Sequence, residues 1–275
     1  MKKTKYILIF SALILLFSCA KTPVYTSNLQ ETSFQFNGSD KTWLGQFYYD
    51  SEANMLYGIS NDKENIYVRL KVVDQLTQIK IIRRGLTFWM DTIGMNKEQM
   101  AIRCPLPRDA GDLQNMRGKN GSPKDKSKNN FALLHDAFSN GQAEMKIKGF
   151  DGYQKEIVLN NKNEDGINVM MKVNDHEELI WEAIIPLKMA FTNPSDFGNG
   201  GNKFFSFGFE SGAFDAPQGN NPGSGGRKPG SGGGGGHGGG QRGGSMNQQA
   251  RPEMQAMMTP SKVKIKRVNL TFENN

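Results

Sequence analysis

The chain of 275 residues is 37% hydrophobic and 22% charged, which suits one sizeable folded core and is too polar for a polytopic membrane protein. Three histidines and two cysteines leave little material for a metal or thiol enzyme. Without the three lysines of residues 1–18 the formal charge falls from +7 to +4, and most of that excess lies in residues 103–128. A positive charge confined to one segment does not favour a nucleic-acid partner.

The first residues have the pattern of an export signal. Lys2, Lys3 and Lys5 precede an apolar run of 12 residues, from Tyr6 to Phe17. A helix needs about 20 residues to cross the hydrocarbon core of a bilayer, so the run is too short for a membrane span. A basic start followed by a short apolar stretch predicts a secretory signal that is removed from the mature protein.

The end of this segment, Leu16-Phe17-Ser18-Cys19, resembles the bacterial lipobox. The resemblance implies that residues 1–18 are removed and that Cys19 becomes the acylated N-terminus, although Phe17 departs from the usual small or aliphatic residue. Two or more acyl chains would hold the protein stably on a membrane. We expect a lipoprotein on the periplasmic side of the outer membrane, with the cell surface as the alternative. An ordinary secretory signal with an incidental cysteine is the other interpretation.

Residues 19–33 are polar, contain Pro23 and show no apolar period, which predicts a lipidated tether. A single domain is predicted from Phe34 to residue 275. Within it, the dominant hydrophobic period is two, which is typical of half-buried antiparallel strands. The predicted strands are Asn54–Ile59, Asn65–Val73, Leu86–Asp91, Glu98–Arg103, Glu144–Gly149, Glu156–Asn160, Ile167–Val173, Glu178–Ile185, Phe204–Phe209 and Val263–Phe272.

Two helical segments interrupt the strands. Asp74 is a predicted cap for a helix over Gln75–Arg84 that ends at Gly85, and Phe131–Phe138 repeats apolar residues at helical spacing. Both would cover ends or edges of the sheets. Two insertions, at about 105–130 and 218–260, have compositions typical of disorder. The sequence therefore predicts an all-β antiparallel sandwich with two short lid helices and two long disordered insertions.

The sequence offers few groups for catalysis. His135, His176 and His237 are not spaced as zinc ligands, and no nucleophile elbow, Walker loop or dinucleotide fingerprint occurs. Asp91 and Glu182 could serve as acid and base, but such residues more often lie in turns and sheet edges. We expect no enzymatic activity.

Single residues suggest two further interpretations. Cys104 alternates with apolar neighbours, which favours a small core residue over a reactive thiol. Asp50, Asp74 and Asp91 could offer oxygen ligands to Ca²⁺ at loop ends, but no EF-hand-like loop occurs and Asp74 is explained as a helix cap. We expect no cofactor, with calcium as the alternative.

Aromatic residues give the stronger indication of a ligand. Trp43, Trp89 and Trp181 could stack on sugar rings, because an indole presents a broad apolar face with a polar edge. Ordinary core packing is the competing interpretation for each of them, since Trp is highly buried on average.

Four stretches resemble modules of the family 9 carbohydrate-binding type and the wider DOMON-like sandwiches. They are Asp40-Lys41-Thr42-Trp43, Asn65–Asp74, Leu86–Thr92 and Trp181–Leu187. The group includes glycan-binding, calcium-containing and haem-binding modules, so the resemblance implies the fold more specifically than the ligand. Lys41 and Thr42 replace the family's usual acidic run, and no aromatic clamp matches residue by residue. No histidine falls in a predicted strand, so we expect no haem.

These observations favour a membrane-anchored, non-catalytic β-sandwich of the envelope that binds a ligand, with a glycan as the expected class. The alternative is a structural or assembly lipoprotein that binds another envelope protein. A hydrolase or redox enzyme is the third hypothesis, and it would require histidines or carboxylates that converge in a cleft. A sandwich fold alone does not choose among them.

Overall fold

The computed structural model describes residues 23–30, 36–39, 43, 47–107, 138, 140–164, 166–198, 201–215 and 250–272. The predicted signal and Cys19 lie outside these residues. So do residues 108–130 and 218–249 of the two predicted insertions and all of the second predicted lid helix except Phe138, which is helical and buried.

The described residues form two β-sheets. The strands are β1 (Tyr25–Thr26), β2 (Asn28–Leu29), β3 (Tyr48–Asp50), β4 (Met55–Asn61), β5 (Asn65–Val72), β6 (Leu86–Asp91), β7 (Met100–Arg103), β8 (Glu144–Lys148), β9 (Ile157–Asn160), β10 (Asn168–Val173), β11 (Leu179–Pro186), β12 (Phe205–Ser211) and β13 (Lys262–Asn269). The helices are α1 (Gln75–Arg84), α2 (Leu187–Ala190) and α3 (Ala250–Met258), with a 3-10 helix at Pro194–Phe197.

Sheet A has the order β1-β13-β12-β6-β7-β8-β9, and sheet B has the order β10-β11-β5-β4-β2, with β3 also paired to β4. All strand pairs are antiparallel except β1–β13 and β2–β4. The predicted all-β sandwich is therefore confirmed. The two parallel pairs involve strands that the sequence analysis missed, so the sheets are mixed.

The core lies between the sheets because alternate residues of each strand point inward. Phe88 of β6, Trp181 of β11 and Phe209 of β12 are fully buried, with ring centroids 5.2–6.0 Å apart. The Trp181 indole N–H donates to the carbonyl of Cys104 at 2.8 Å, so its one polar atom is satisfied. These contacts join the two sheets through their centres.

Helix α1 covers one end of the sandwich, which we call the lid end. The Asp74 carboxylate accepts from the Thr77 amide at 2.7 Å, and the Gly85 amide donates to the Ile81 carbonyl, so the predicted cap, bounds and stop are confirmed. The helix contacts β5 of sheet B and β12 of sheet A. Its most buried apolar residue is Ile81, which packs into the core between the sheets.

Helix α3 corrects the prediction that residues 218–260 form a flexible insertion throughout. A proline near its start and helix-favouring Met, Gln and Ala residues after it explain why this stretch is helical. Lys80 of α1 fixes its C-terminus, because the ammonium donates to the carbonyls of Ala256 and Thr259 at 3.2 and 3.0 Å and to the Ser261 hydroxyl at 2.6 Å. Burial lowers the pKa of Lys80, against the opposing effect of Asp74.

The predicted tether over residues 19–33 is also wrong in part, because the sandwich begins at Tyr25. β1 pairs with β13 of sheet A, and after Ser27 the chain crosses to β4 of sheet B as β2. At the crossing, the Ser27 hydroxyl donates to the Asn61 side chain and accepts from the Thr271 amide at 3.0 Å. The Asn61 amide group donates to the Thr271 carbonyl at 2.9 Å. This network closes the first long edge of the sandwich.

The opposite long edge is closed by Asn161, which is fully buried between β9 and β10. Its side-chain oxygen accepts from the Ala143 amide at 3.0 Å. Its side-chain nitrogen donates to the carbonyls of Phe138 and Val169 at 3.1 and 2.9 Å. One amide side chain thus links the edge of sheet A to the edge of sheet B.

We expect Asn161→Ala to lower the free energy of unfolding by about 2–4 kcal/mol, because three buried backbone groups lose their partner. The neighbouring Asn160 has an exposed side chain, and Asn160→Ala should cost less than about 0.5 kcal/mol. Urea denaturation of a soluble form beginning at Lys21 would measure both. Equal effects of the two changes would contradict the role given to Asn161.

Candidate functional site

The end of the sandwich opposite α1 is open and holds a cleft of about 1550 Å³, which we call the end cleft. Turns and short helices surround it instead of strands. The lining includes the β4–β5 turn, the β6–β7 turn, the loop after β8, helix α2 and the segment up to residue 204. Because loops at the end of a rigid sandwich are positioned by the strands below them, this end is a natural binding location.

Local interactions hold each wall of the end cleft in place. In the β4–β5 turn the Asp62 carboxylate accepts from the amides of Glu64 and Asn65 at 2.8 and 2.7 Å. The Glu64 carbonyl accepts from the first amide of α2, that of Leu187, at 2.7 Å. The amide of Asp151 donates to the carbonyl of Met189 at 2.9 Å, which ties the loop after β8 to the same helix.

The lining combines polar and apolar groups. The charged side chains carry both signs, and Lys188 and Asn193 are exposed at the rim. Beneath them, the rings of Phe191 and Phe197 pack 4.7 Å apart and are buried, and Ile93 is 66% exposed beside the cleft. An apolar floor with hydrogen-bonding groups around it is the usual arrangement of a small-molecule site.

The three tryptophans do not meet at any common surface. Trp181 is a core residue with no exposed surface, so it has no face for a sugar and the predicted stacking role does not fit its position. Trp89 and Trp43 lie on the outer faces of different sheets, since Trp89 belongs to β6 of sheet A and Trp43 covers β5 of sheet B.

Trp89 is only 8% exposed because its neighbours enclose it. A Cβ atom at Gly208 would lie 2.5 Å from its ring, so the glycine allows the indole to rest directly on β12. Lys264 covers the ring with its ammonium 5.7 Å from the centroid, and the same ammonium donates to the Asn96 carbonyl at 2.8 Å. A sugar could reach the ring only after Lys264 moved away.

Trp43 belongs to a covering layer over sheet B and is 6% exposed. Its ring stacks on Phe47 at 5.6 Å, and the guanidinium carbon of Arg69 lies 5.0 Å from its centroid. Arg69 in turn forms a salt bridge with Glu182, and both side chains are completely buried. Trp43 therefore shields an ion pair from water.

The chain before β3 supplies further hydrogen bonds to this ion pair. The Gly38 amide donates to the Glu182 carboxylate at 2.9 Å, and Arg69 donates to the Ser39 carbonyl at 2.9 Å. Burial raises the pKa of the Glu182 carboxyl, whereas Arg69 and the Gly38 amide lower it. Glu182 is thus a buried structural partner and has no open approach for a substrate, which argues against the acid–base role considered for it.

The predicted calcium ligands are all engaged in local backbone structure. The Asp91 carboxylate accepts from the amides of Ile93, Gly94 and Lys97 at 2.8–3.2 Å. Asp50 accepts from two amides of the turn that follows it, and Asp74 caps α1. Within the described ranges, no group of three or more His, Cys, Asp or Glu residues is arranged to hold a metal ion.

Cys104 is fully buried in the core, which confirms its prediction as a core residue, and burial raises the pKa of its thiol. His176 is exposed in the turn between β10 and β11, while His135 and His237 lie outside the described residues. In the part of the chain that the structure describes, no helix is long and apolar enough to span a bilayer.

Comparison of the chain with protein-family models, with curated proteins and with solved structures finds no match. The resemblance to carbohydrate-binding and DOMON-like modules therefore stays a prediction.

Sequence reasoning missed the end cleft because its lining comes from turns that are far apart along the chain. It also missed the burial of Arg69. The alternation in β5 places the Arg69 side chain on the outer face of sheet B, on the other side from the inward side chains of Val68 and Leu70. An arginine on an outer face is ordinarily solvated. The sequence held one signal of this burial. The alternation in β11 places Glu182 on the same outer face, where its carboxylate can balance the charge of Arg69.

We expect Glu182→Gln to lower the free energy of unfolding by about 3–5 kcal/mol, because it leaves the Arg69 charge buried without its counter-ion. The double change Arg69→Met with Glu182→Leu should recover much of that loss. The exposed pair of Lys148 and Glu98, at 2.8 Å, is the matched control, and Glu98→Gln should cost less than about 1 kcal/mol.

Urea denaturation of the soluble form would measure all three variants. A cost for Glu182→Gln no larger than that for Glu98→Gln would contradict the structural role of the buried pair.

Proposed function

We propose that the protein is a lipid-anchored, non-catalytic binding module of the cell envelope, and that it binds a glycan in the end cleft. The observation that carries the proposal is the cleft itself, which combines hydrogen-bonding rim residues with the accessible apolar side chains of Ile93 and Phe204 above a buried aromatic layer. Sugars present both hydroxyl groups and apolar ring faces, so they need both kinds of contact.

The size of the end cleft supports an extended ligand. At about 1550 Å³ it exceeds the 300–1000 Å³ of most small-molecule pockets. Its charged lining carries both signs, which does not select a strongly charged ligand. A neutral chain of several sugar units fits this description better than a single small metabolite.

The state of the reactive groups that the sequence suggested supports binding over turnover. The Asp91 carboxylate is held by three turn amides, and the Glu182 carboxylate is held by Arg69 and Gly38. Neither lines the end cleft. The Cys104 thiol is fully buried in the core. The residues first considered as acid, base or thiol nucleophile thus have structural partners.

Calorimetric titration of the soluble form beginning at Lys21 against a glycan panel tests the proposal. Asn193 is exposed in the cleft and its side chain makes no capping bond, so we expect Asn193→Ala together with Lys188→Ala to weaken binding at least tenfold without unfolding. Asn160→Ala, on the exposed side of β9, is the control and should leave binding unchanged.

The covered position of Trp89 gives a second control. Trp89→Phe should retain glycan binding, because its ring lies beneath Lys264 and outside the end cleft. Loss of binding in Trp89→Phe but not in the cleft variant would move the site to sheet A. Absence of binding to every glycan of the panel would reject the glycan ligand.

A protein partner from the envelope is the second candidate. It is favoured by Ile93 and Met95 of the β6–β7 turn, which are 66% and 60% exposed. Ile93 lines the end cleft and Met95 does not, so Met95→Ser should weaken capture of that partner in a pull-down with the lipidated chain and should leave glycan titrations unaffected.

The lipid anchor has its own test. We expect labelled palmitate to be incorporated into the expressed full chain and to be lost in Cys19→Ser, because acylation requires the thiol. Retention of the label in Cys19→Ser, or its absence from the unchanged chain, would contradict the anchor. Neither result would bear on the end cleft.

A further inference from the structure

We infer that one long edge of the sandwich, formed by β1, β3 and β13, rests on the anionic phospholipid surface to which the chain is tethered. This inference rests on the proposed anchor at Cys19. We call this surface the anchor edge.

Only a short length of chain lies between the proposed anchor and the fold. Five residues separate Cys19 from Tyr25, and an extended chain spans at most about 3.3–3.6 Å per residue, so the six steps from Cys19 to Tyr25 reach about 20 Å. Tyr25 is fixed, because its backbone pairs with Val268, its ring is buried and its hydroxyl accepts from the Ile59 amide at 3.0 Å. The anchor edge therefore stays close to the bilayer.

The surface within that reach exposes an apolar residue and two tyrosines. Val24 is 42% exposed next to β1, and Tyr49 of β3 is 60% exposed. Tyr48 is exposed as well, and its ring lies 4.6 Å from that of Tyr25. Tyrosine side chains are enriched where membranes meet water, because one end of the ring is apolar and the other is polar.

The adjacent strand β13 carries positive charge. β1 runs parallel to β13, so its N-terminal side points toward the end of the sandwich where β13 begins. From that end, β13 presents Lys262, Lys264 and Lys266 at alternate exposed positions on the outer face of sheet A. Glu210 neutralises Lys262 at 3.0 Å and Lys264 donates to the Asn96 carbonyl above Trp89, so Lys266 is the exposed lysine that can meet headgroups. Lysines held near a membrane attract anionic headgroups.

Lysines on an edge strand also prevent sheet-to-sheet aggregation, and that role alone would explain them. It does not explain two exposed tyrosines and a valine gathered at the point where the anchor enters the fold. A membrane contact accounts for both groups of residues.

The test attaches the chain at the position of the proposed lipid without relying on natural acylation. A chain beginning at Cys19 is coupled through this thiol to maleimide-bearing lipid in vesicles of phosphatidylcholine and phosphatidylglycerol that contain brominated acyl chains. Cys104 is fully buried and should not react. Tryptophan is introduced singly, as Tyr49→Trp or Val24→Trp on the anchor edge and as Val158→Trp on β9.

We expect the brominated lipid to quench the added fluorescence of Tyr49→Trp and Val24→Trp at least twofold and to leave that of Val158→Trp unchanged. Val158 is the matched control because it is 48% exposed on the opposite edge of the sandwich. The native tryptophans are buried and give a constant background. Equal quenching at the two edges, or none at residues 24 and 49, would overturn the inference.

A charge test completes the experiment. In the Tyr49→Trp chain, Lys266→Gln should reduce quenching when phosphatidylglycerol is present. Lys146→Gln, on β8, should not. Equal effects of the two changes would exclude Lys266 from the contact. A concentration-dependent dimer that protects Tyr49 in solution would instead assign the anchor edge to a second copy of the chain. Because the coupling is chemical, failure of palmitate labelling would not affect this result.

Discussion

Two sheets that pack face to face leave four edges where backbone groups lose their partners, and the closure of these edges is the constraint on which this structure depends. At each long side of the sandwich, one buried asparagine provides the closure. Asn61 links the N-terminal crossing to the chain after β13, and Asn161 links the edge of sheet A to β10. An amide side chain suits this position because it accepts and donates at once.

This closure leaves the two ends of the sandwich free for different uses. At the lid end, α1 and α3 pack together, and the chain departs toward residues 108–137 and 216–249 from points close to α1. At the other end, short turns surround the end cleft.

The sequence predicted most of the fold because ten strands carry a clear period of two and α1 carries a cap and a stop. The strands β1, β2 and β3 were missed because two or three residues are too few to show a period, and their pairing depends on residues distant in the chain. Helix α3 was missed because its glycine-rich surroundings dominated the composition, although Lys80 of α1 fixes its end.

The candidate site was less predictable for a physical reason. The alternation of apolar and polar residues predicts which face of a strand a residue occupies. It does not predict which other residues cover the outer face. Trp89 and Trp43 are outward residues, as a binding role would require, but Lys264 covers one and the other packs on Arg69. The lining of the end cleft depends on how distant turns converge, which only the assembled sheets determine.

The early entry of the chain into β1 has a mechanical consequence. If Cys19 carries the proposed lipid, the five residues between Cys19 and Tyr25 would transmit a pull on it almost directly to the fold, whereas a tether of about 15 residues would absorb much of that pull. The first structures to resist that pull are two residue pairs between β1 and β13 and the bonds of Ser27 to Asn61 and Thr271. Force on the anchor would thus act first on the seam that holds both sheets together.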